Sequence, residues 1–279
     1  MSAHGNDFII INNMELTLNS QRLSELARKL CRRRVSIGAD GILVIEPPGS
    51  SQASFTMRIF NADGSEGEMC GNGARCIAWY AYSKGIAPQE MIIDTISGSI
   101  KAWVNGKNVR ILLTQPTKIE LEKNIETSKG IINCSYIELG YPGIPHAVIK
   151  HQEVSKKNFL KLMNSLKEFA REIRHNKAFP KGANVNFYNI INNEVHVLTY
   201  ERGVEDFTLA CGTGIASVVV ALVKKGILSL DNQNKAHVVV PGGELSIVLE
   251  FDKDQIRNIY LEGEVRCIAE GILYEDTLL

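Results

Sequence analysis

The chain carries no net charge, no long apolar run, no closely spaced cysteine pair and no nucleotide-binding fingerprint. Lysine and arginine number 31 against 31 aspartate and glutamate, so there is no summed basic field to hold nucleic acid or an anionic membrane. No apolar stretch approaches the roughly 18 residues of a membrane span. The opening Met-Ser-Ala-His-Gly-Asn-Asp has neither the basic region nor the apolar core of a secretory signal. These absences predict a soluble cytoplasmic protein whose partner is a small molecule, not a nucleic acid or a membrane. The six cysteines, at 31, 70, 76, 134, 211 and 267, never form C-x-x-C, which argues against a disulfide scaffold, a zinc ribbon and a thioredoxin-like centre. Any cysteine with a function is expected to act as a reduced thiol. What is present is a 279-residue chain, 44% apolar, long enough for one large or two modest domains with packed cores.

Short β-branched runs with Gly and Asn punctuation predict strands at Phe8–Ile11, Gly41–Ile45, Phe55–Phe60, Met91–Thr95, Ser99–Val104, Val109–Leu113, Tyr136–Leu139, His146–Ile149, Val185–Ile191, Glu194–Tyr200, Ala236–Val240, Leu245–Leu249, Ile256–Glu262 and Ala269–Leu273. Helical periodicity predicts amphipathic surface helices over Ser20–Cys31, opened by an Asn19 or Ser20 cap, and over Lys156–Arg174. Two further helices, Asn72–Lys84 and Thr213–Lys225, are apolar nearly all round and are each followed by glycine, as buried helices with a Gly C-cap are.

Each of those two follows a Cys-Gly pair: Cys70-Gly71-Asn72-Gly73 and Cys211-Gly212-Thr213-Gly214, 141 residues apart. Strands and a polar loop precede each copy, and strands follow it. The repeat predicts a duplication: an α/β (α+β) fold of two pseudo-symmetric halves, each wrapping strands around a buried central helix, with the active site in the cleft between them. The expected halves are residues 1–115, joined by a C-terminal strand within 264–279, and residues 116–263. The boundary falls near Gln115-Pro116, where polar, Lys-rich residues replace the strand pattern.

A thiol is a useful base only as thiolate, and a helix N-terminus favours that form. The following glycines let backbone N–H groups cradle an anion such as a carboxylate. Two such half-sites would set one base on each side of a single carbon, the arrangement for inversion at an acidic C–H. Taken singly, a buried cysteine at a helix start is a small apolar filler; two in the same local grammar are harder to read that way. Neither turn ends in the Gly-Lys-Ser/Thr of a P-loop or forms the G-x-G-x-x-G of a dinucleotide site.

At these residues, and at Gly5-Asn6-Asp7-Phe8, Gly38-Ala39-Asp40-Gly41, Phe60–Glu66, Pro145-His146-Ala147-Val148, Asn184-Val185-Asn186-Phe187 and Glu201-Arg202-Gly203, the chain resembles the diaminopimelate epimerases, cofactor-independent amino-acid epimerases of lysine and peptidoglycan biosynthesis. The resemblance implies interconversion of LL- and meso-diaminopimelate by two-base proton transfer, with neither pyridoxal phosphate nor a metal. It makes Cys70 and Cys211 the bases. His146 and Glu201 would set their thiol pKa values. Gly71, Asn72, Gly212 and Thr213 would bind the carboxylate on the reacting carbon. Asn6, Asn61, Asn184, Glu201 and Arg202 would complete the substrate site, Arg202 with a fork suited to a carboxylate. By residue type alone His146 reads as a satisfied turn histidine, Glu201 as a solvated charge, and Asn61 and Asn184 as turn residues.

The chain departs from the family pattern in three places. It begins almost at its first motif, where the family has a short strand and a lysine, so either an edge strand is missing or the start is misplaced. Gly41 stands where many members have glutamine, and Ile144 where many have asparagine. Racemisation of another amino acid on the same machinery is the rival reading, and a non-catalytic amino-acid-binding protein a more distant one. Association as a homodimer stays open.

Overall fold

The computed structural model describes residues Met1–Tyr274, which fold into two compact units, one of Met1–Leu112 together with the segment starting at Gly263, the other of Leu113–Glu262. In the first unit the order is β1 (Ser2–Ala3), β2 (Asn6–Asn12), α1 (Ser20–Leu30), β3 (Gly41–Glu46), β4 (Phe55–Asn61), β5 (Glu66–Gly67), α2 (Gly71–Ser83), β6 (Glu90–Thr95), β7 (Gly98–Asn105) and β8 (Asn108–Leu113). In the second it is β9 (Pro116–Thr127), β10 (Gly130–Leu139), β11 (Ile144–Lys150), α3 (Phe159–Ser165), α4 (Lys167–Arg174), β12 (Asn184–Ile191), β13 (Glu194–Glu201), β14 (Asp206–Thr208), α5 (Gly212–Lys224), β15 (Lys235–Val240), β16 (Gly243–Asp252) and β17 (Gln255–Glu264).

The pairings of the two units repeat one another. In the first, β1 is antiparallel to β2, β2 parallel to β3 across α1, β3 antiparallel to β4, β4 antiparallel to β5, and β6, after α2, parallel to β4 and continued by the β6–β7–β8 meander. The second repeats each step with β10, β11, β12, β13, β14, β15, β16 and β17, the helices again falling after the second and fifth strands of the series. The registers make the copies comparable residue by residue. Phe8 pairs with Gly41 as His146 pairs with Asn184, and Ile42 pairs with Phe60 as Val185 pairs with Tyr200. Stepping along the strands, Asn6 therefore matches Ile144, Gly41 matches Asn184, and Asn61 matches Glu201. The α/β fold of two related halves is thus present in the strand pairing as well as in the paired Cys-Gly turns.

Both central helices form where glycines and small residues allow close packing and end in a glycine of positive φ, Gly85 at +69° and Gly226 at +66°. α5 is buried from Gly214 through Leu222, as its unbroken apolar run requires. α2 is buried from Asn72 through Ala78 but places one charged side chain, Arg75, wholly inside. Asn19, not Ser20, caps α1, its Oδ1 accepting from the Arg22 N–H at 2.9 Å.

Four expectations are corrected. The Lys156–Arg174 helix is two helices meeting at Leu166, which closes α3 and opens α4. The buried stripe Phe159, Leu162, Leu166, Ala170, Ile173 continues through the junction, but Asn164 and Ser165 are weak helix formers that give way there. The polar stretch after Gln115 is a 12-residue strand, hairpin partner of β10; only Ile125 of it is fully buried, so its exposed side chains conceal the ladder. No strand forms at Ala269–Leu273, where Ile268 and Ile272 lie exposed and Gly271 interrupts the run. The return of the chain to the first unit is made earlier, by Arg266, whose N–H and C=O pair with Ser2 at 2.8 Å. The part of the expected terminal strand beyond Tyr274 lies outside the described residues. An edge strand is also present before the first motif: Ser2–Ala3 pairs with Asn6–Asp7 through a two-residue turn at His4 (φ +49°) and Gly5 (φ +94°).

Candidate active site

Cys70 is the N-cap of α2 and Cys211 the N-cap of α5, both in extended backbone conformations (φ −142°, ψ 118° and φ −115°, ψ 108°). The cap geometry turns each thiol back over the first helical turn, where unsatisfied N–H groups and the positive end of the dipole lie. Cys70 Sγ accepts from the Gly73 N–H at 3.4 Å. Cys211 Sγ lies 3.6 Å from Thr213 Oγ1. Gly71 and Asn72, and Gly212 and Thr213, are the first two residues of their helices, as an anion cradle requires. Gly73 has no room for a Cβ, which would fall 2.9 Å from Leu43 Cδ2.

Around Cys70 the side chains form one hydrogen-bonded series. Asn72 Nδ2 donates to Asn6 Oδ1 at 2.7 Å, and Asn6 Nδ2 donates to Asp40 Oδ2 at 2.9 Å. Asp40 and Asp7 are both gripped by Arg33, which meets Asp7 through two nitrogens at 2.9 and 2.6 Å. Asn6 and Asn72 are thus fixed in orientation. Asn61 ends β4 in an exposed turn, its Nδ2 donating to Ser65 Oγ at 3.0 Å.

Around Cys211 the arrangement is different. Glu201 ends β13 near the Thr208 and Cys211 side chains; burial pushes its carboxyl above the usual range, and those two neighbours oppose that rise. It is no solvated charge. Asn184 is buried, Nδ2 donating to the Pro145 carbonyl at 3.2 Å and Oδ1 accepting from the Arg202 N–H at 2.7 Å, so it holds the turn that presents Arg202. Arg202 Nη1 donates to the Lys181 carbonyl at 3.0 Å.

His146 is completely buried on β11. Asn186 Nδ2 lies 3.3 Å from its Nδ1 and also donates to the Ala147 carbonyl at 3.1 Å, while Asn186 Oδ1 accepts from Thr199 Oγ1 at 2.9 Å. That network makes Nδ1 an acceptor and places the imidazole proton on Nε2, which is buried and meets no protein partner. Burial, and then the Arg202 charge, push the His146 pKa down to about 3 from 6.5. The unfolded chain takes up this proton near pH 6.5 and the folded one does not, so the stability His146 contributes is complete above that pH and drains away as pH falls toward 3. Urea unfolding between pH 7 and pH 5 is expected to show a loss of up to about 1.4 kcal/mol per pH unit that His146→Gln removes; equal slopes in both proteins would contradict the burial of a neutral imidazole.

The structure thus gathers Cys70, Gly71, Asn72 and Asn6 in the first unit and Cys211, Gly212, Thr213 and Glu201 in the second, where Asn184 carries Arg202. It adds Asp40, Arg33, Arg75 and His4 in the first unit and Asn186 and Thr199 in the second. Asp40 and Asn186 lie inside the motifs around Gly38 and Asn184, and Arg75 is the one charge in the Asn72–Tyr82 run; each was a readable signal.

A family model described as diaminopimelate epimerase matches residues 1–119 and 140–268. A diaminopimelate epimerase of Aquifex aeolicus (strain VF5) is 35% identical over 100% of this chain and 98% of its own length, and one of Hydrogenobaculum sp. (strain Y04AAS1) is 38% identical over 96% and 95%. Among solved structures, a methylitaconate-delta-isomerase superimposes with a TM-score of 0.70 at 12% identity, covering 100% of this chain and 95% of that one. A probable proline racemase from Agrobacterium radiobacter K84 gives 0.62 at 18% identity, over 94% and 88%. The two structures show a shared fold.

Proposed function

The chain belongs to the diaminopimelate epimerase family, and from that premise we propose that it interconverts LL- and meso-diaminopimelate with Cys70 and Cys211 as its two bases. One thiolate removes the α-proton: the C–H bond breaks, an S–H bond forms, and the electron pair passes from the α-carbon into the carboxylate. The other thiol then returns a proton to the opposite face, its S–H bond breaking as the new C–H bond forms, and the two cysteines exchange roles for the reverse direction. The carboxylate gains negative charge in this step. The backbone N–H groups at Gly71, Asn72, Gly212 and Thr213 are suited to stabilise it, because donors at helix N-termini are fixed before the charge develops.

The observation that carries this reading is the matched N-cap position of the two cysteines in two copies of one topology. Glu201, near the Cys211 thiol, and the buried Nε2–H of His146 serve as the groups that tune the second half-site. Asn6, Asn61, Asn184 and Arg202 are assigned to the substrate's polar groups. The reaction needs no cofactor and proceeds in the cytoplasm on this reading. Incubation with diaminopimelate in deuterated water tests it: deuterium should enter the α-position as LL and meso forms interconvert, and absence of incorporation would overturn it.

One observation bears on the rival substrate. Ile144, about a third exposed at 36%, opens β11 at the position that Asn6 occupies in the other copy, so an amide stands at one place and an aliphatic group at its twin. A site that hydrogen-bonds a polar group rejects analogues lacking it because its own partners are left unpaired; with Ile144 that penalty is smaller. Diaminopimelate is expected to remain the best substrate, with weak turnover of a singly charged amino acid. Ile144→Asn should raise the ratio of kcat/KM for diaminopimelate over lysine several-fold. An unchanged ratio makes Ile144 a packing residue, and efficient racemisation of another amino acid by the wild type replaces the substrate named here.

A further inference from the structure

Among the described residues Arg75 is the largest fully buried side chain, and a guanidinium is costly to bury. It sits on the second turn of α2, on the helix that Cys70 caps. Its Nη2 donates to Asn72 Oδ1, and its Nη1 and Nη2 lie 3.1 and 3.2 Å from His4 Nδ1, while Nε is buried with no partner. No carboxylate pairs with it among the described residues. A guanidinium only donates, so His4 Nδ1 must accept and the imidazole is neutral on that nitrogen. His4 occupies a left-handed conformation in the β1–β2 turn, which brings the ring to the helix. Arg75 therefore ties together the hairpin turn preceding Asn6, the Asn72 amide and, through Asn72 Nδ2, the Asn6 amide.

Among the described residues, the titratable groups acting at this spot include Cys70 and Cys76 on the helix, His4, and the Met1 amino group. Burial pushes the Cys76 thiol up to about 12, so it stays neutral and does not cancel the Arg75 charge. Burial lowers the guanidinium to about 10, the two cysteines opposing the shift, and it remains charged at neutral pH. In the second copy the matching residue, 141 positions on, is Ala216, and the thiol there faces the Glu201 carboxyl instead.

We propose that Arg75 is a positioning residue of the first half-site, fixing the Asn72 and Asn6 amides at the start of α2 and holding a permanent positive charge there, so that in the resting enzyme Cys70 carries the negative charge and Cys211 the proton. The inference rests on the two-base reading and gives its two bases unequal resting states.

Alkylation by the uncharged reagent iodoacetamide across pH, with Cys70 and Cys211 followed separately by peptide mass spectrometry, tests it. Midpoints of the pH profiles, not absolute rates, are compared, because Cys70 is half-buried and Cys211 buried. In the wild type the Cys70 midpoint should lie below that of Cys211. Arg75→Met should raise the Cys70 midpoint, cutting its alkylation at pH 7 on the order of tenfold, and leave the Cys211 profile unmoved; Arg75→Lys, which keeps the charge, should recover most of the difference. A wild-type Cys70 midpoint at or above that of Cys211 overturns the proposal without any variant having to fold. A folded Arg75→Met protein with an unmoved Cys70 profile overturns it also, leaving Arg75 a structural residue. Alkylation is read without turnover, so failure here is distinct from failure of the two-base mechanism, which shows as retained epimerisation after loss of either cysteine.

Discussion

Replacement of Cys70 or Cys211 by alanine is expected to lower epimerisation by about 10²–10⁴-fold, the usual worth of a general acid or base, while circular dichroism stays that of the wild type. The two losses should differ in kind as well as size. With one base left, a proton removed from one face can return only to that face, so each variant should exchange the α-proton of a single isomer with deuterated water without inverting it. Cys70→Ala and Cys211→Ala should show opposite isomer preferences, because each retains the base for the other face. A loss of only a few-fold in either folded variant would sink the two-base mechanism, and inversion by a single-cysteine variant would place the second proton donor elsewhere.

Gly214→Ala should destabilise the protein by about 2–3 kcal/mol, although alanine is intrinsically the better helix former by about 1 kcal/mol. The added Cβ would fall 2.4 Å from Asn186 Oδ1, 3.0 Å from Thr199 Oγ1 and 3.3 Å from Cys211 Sγ. Asn186 cannot swing away cheaply, since it is fully buried and bonded to His146, Ala147 and Thr199. The substitution therefore strains the contact between α5 and β12 and displaces the Cys211 thiol with it. Urea unfolding measures the cost. In an Asn186→Ala background the same change should cost markedly less, because the atom it strikes is gone. A Gly214→Ala protein as stable as the wild type would show that the helix shifts freely on its strand, contrary to the packing described.

The lines of the fold that the sequence announced were those in which one face is buried. The β-branched runs and the two apolar helices are dictated by cores in each unit, and their glycine stops by backbone conformation, so pattern sufficed for them. The Pro116–Thr127 strand was illegible because its side chains face water and its stability comes from a ladder with β10, which leaves no trace in hydropathy. Ala269–Leu273 had the right composition but gains no strand partner. At the site, Cys70 and Cys211 stood out by repetition. Glu201 and His146 did not, because residue type alone describes a carboxylate as solvated and an imidazole as satisfied, whereas their burial is supplied only by the folded chain. Asn184 shows the same thing: its amide reaches Pro145 and the Arg202 backbone, contacts that an asparagine read as a turn residue does not announce.

The repeated strand pairing has a consequence for how a reaction of this type acquires a resting direction. Two identical subunits around one substrate would present equal bases, and neither could be preferred before binding. A single polypeptide bearing two copies is under no such constraint, and here the copies have drifted at matched places: Asn61 against Glu201, Phe8 against His146, Arg75 against Ala216. At two of these places one copy has a cation, Arg75, and the other a carboxyl, Glu201. Joining the halves in one chain lets the symmetry of the scaffold be kept while matched side chains differ, and under the proposed assignment of charge to Cys70 the free enzyme would be set to receive one hand of its substrate.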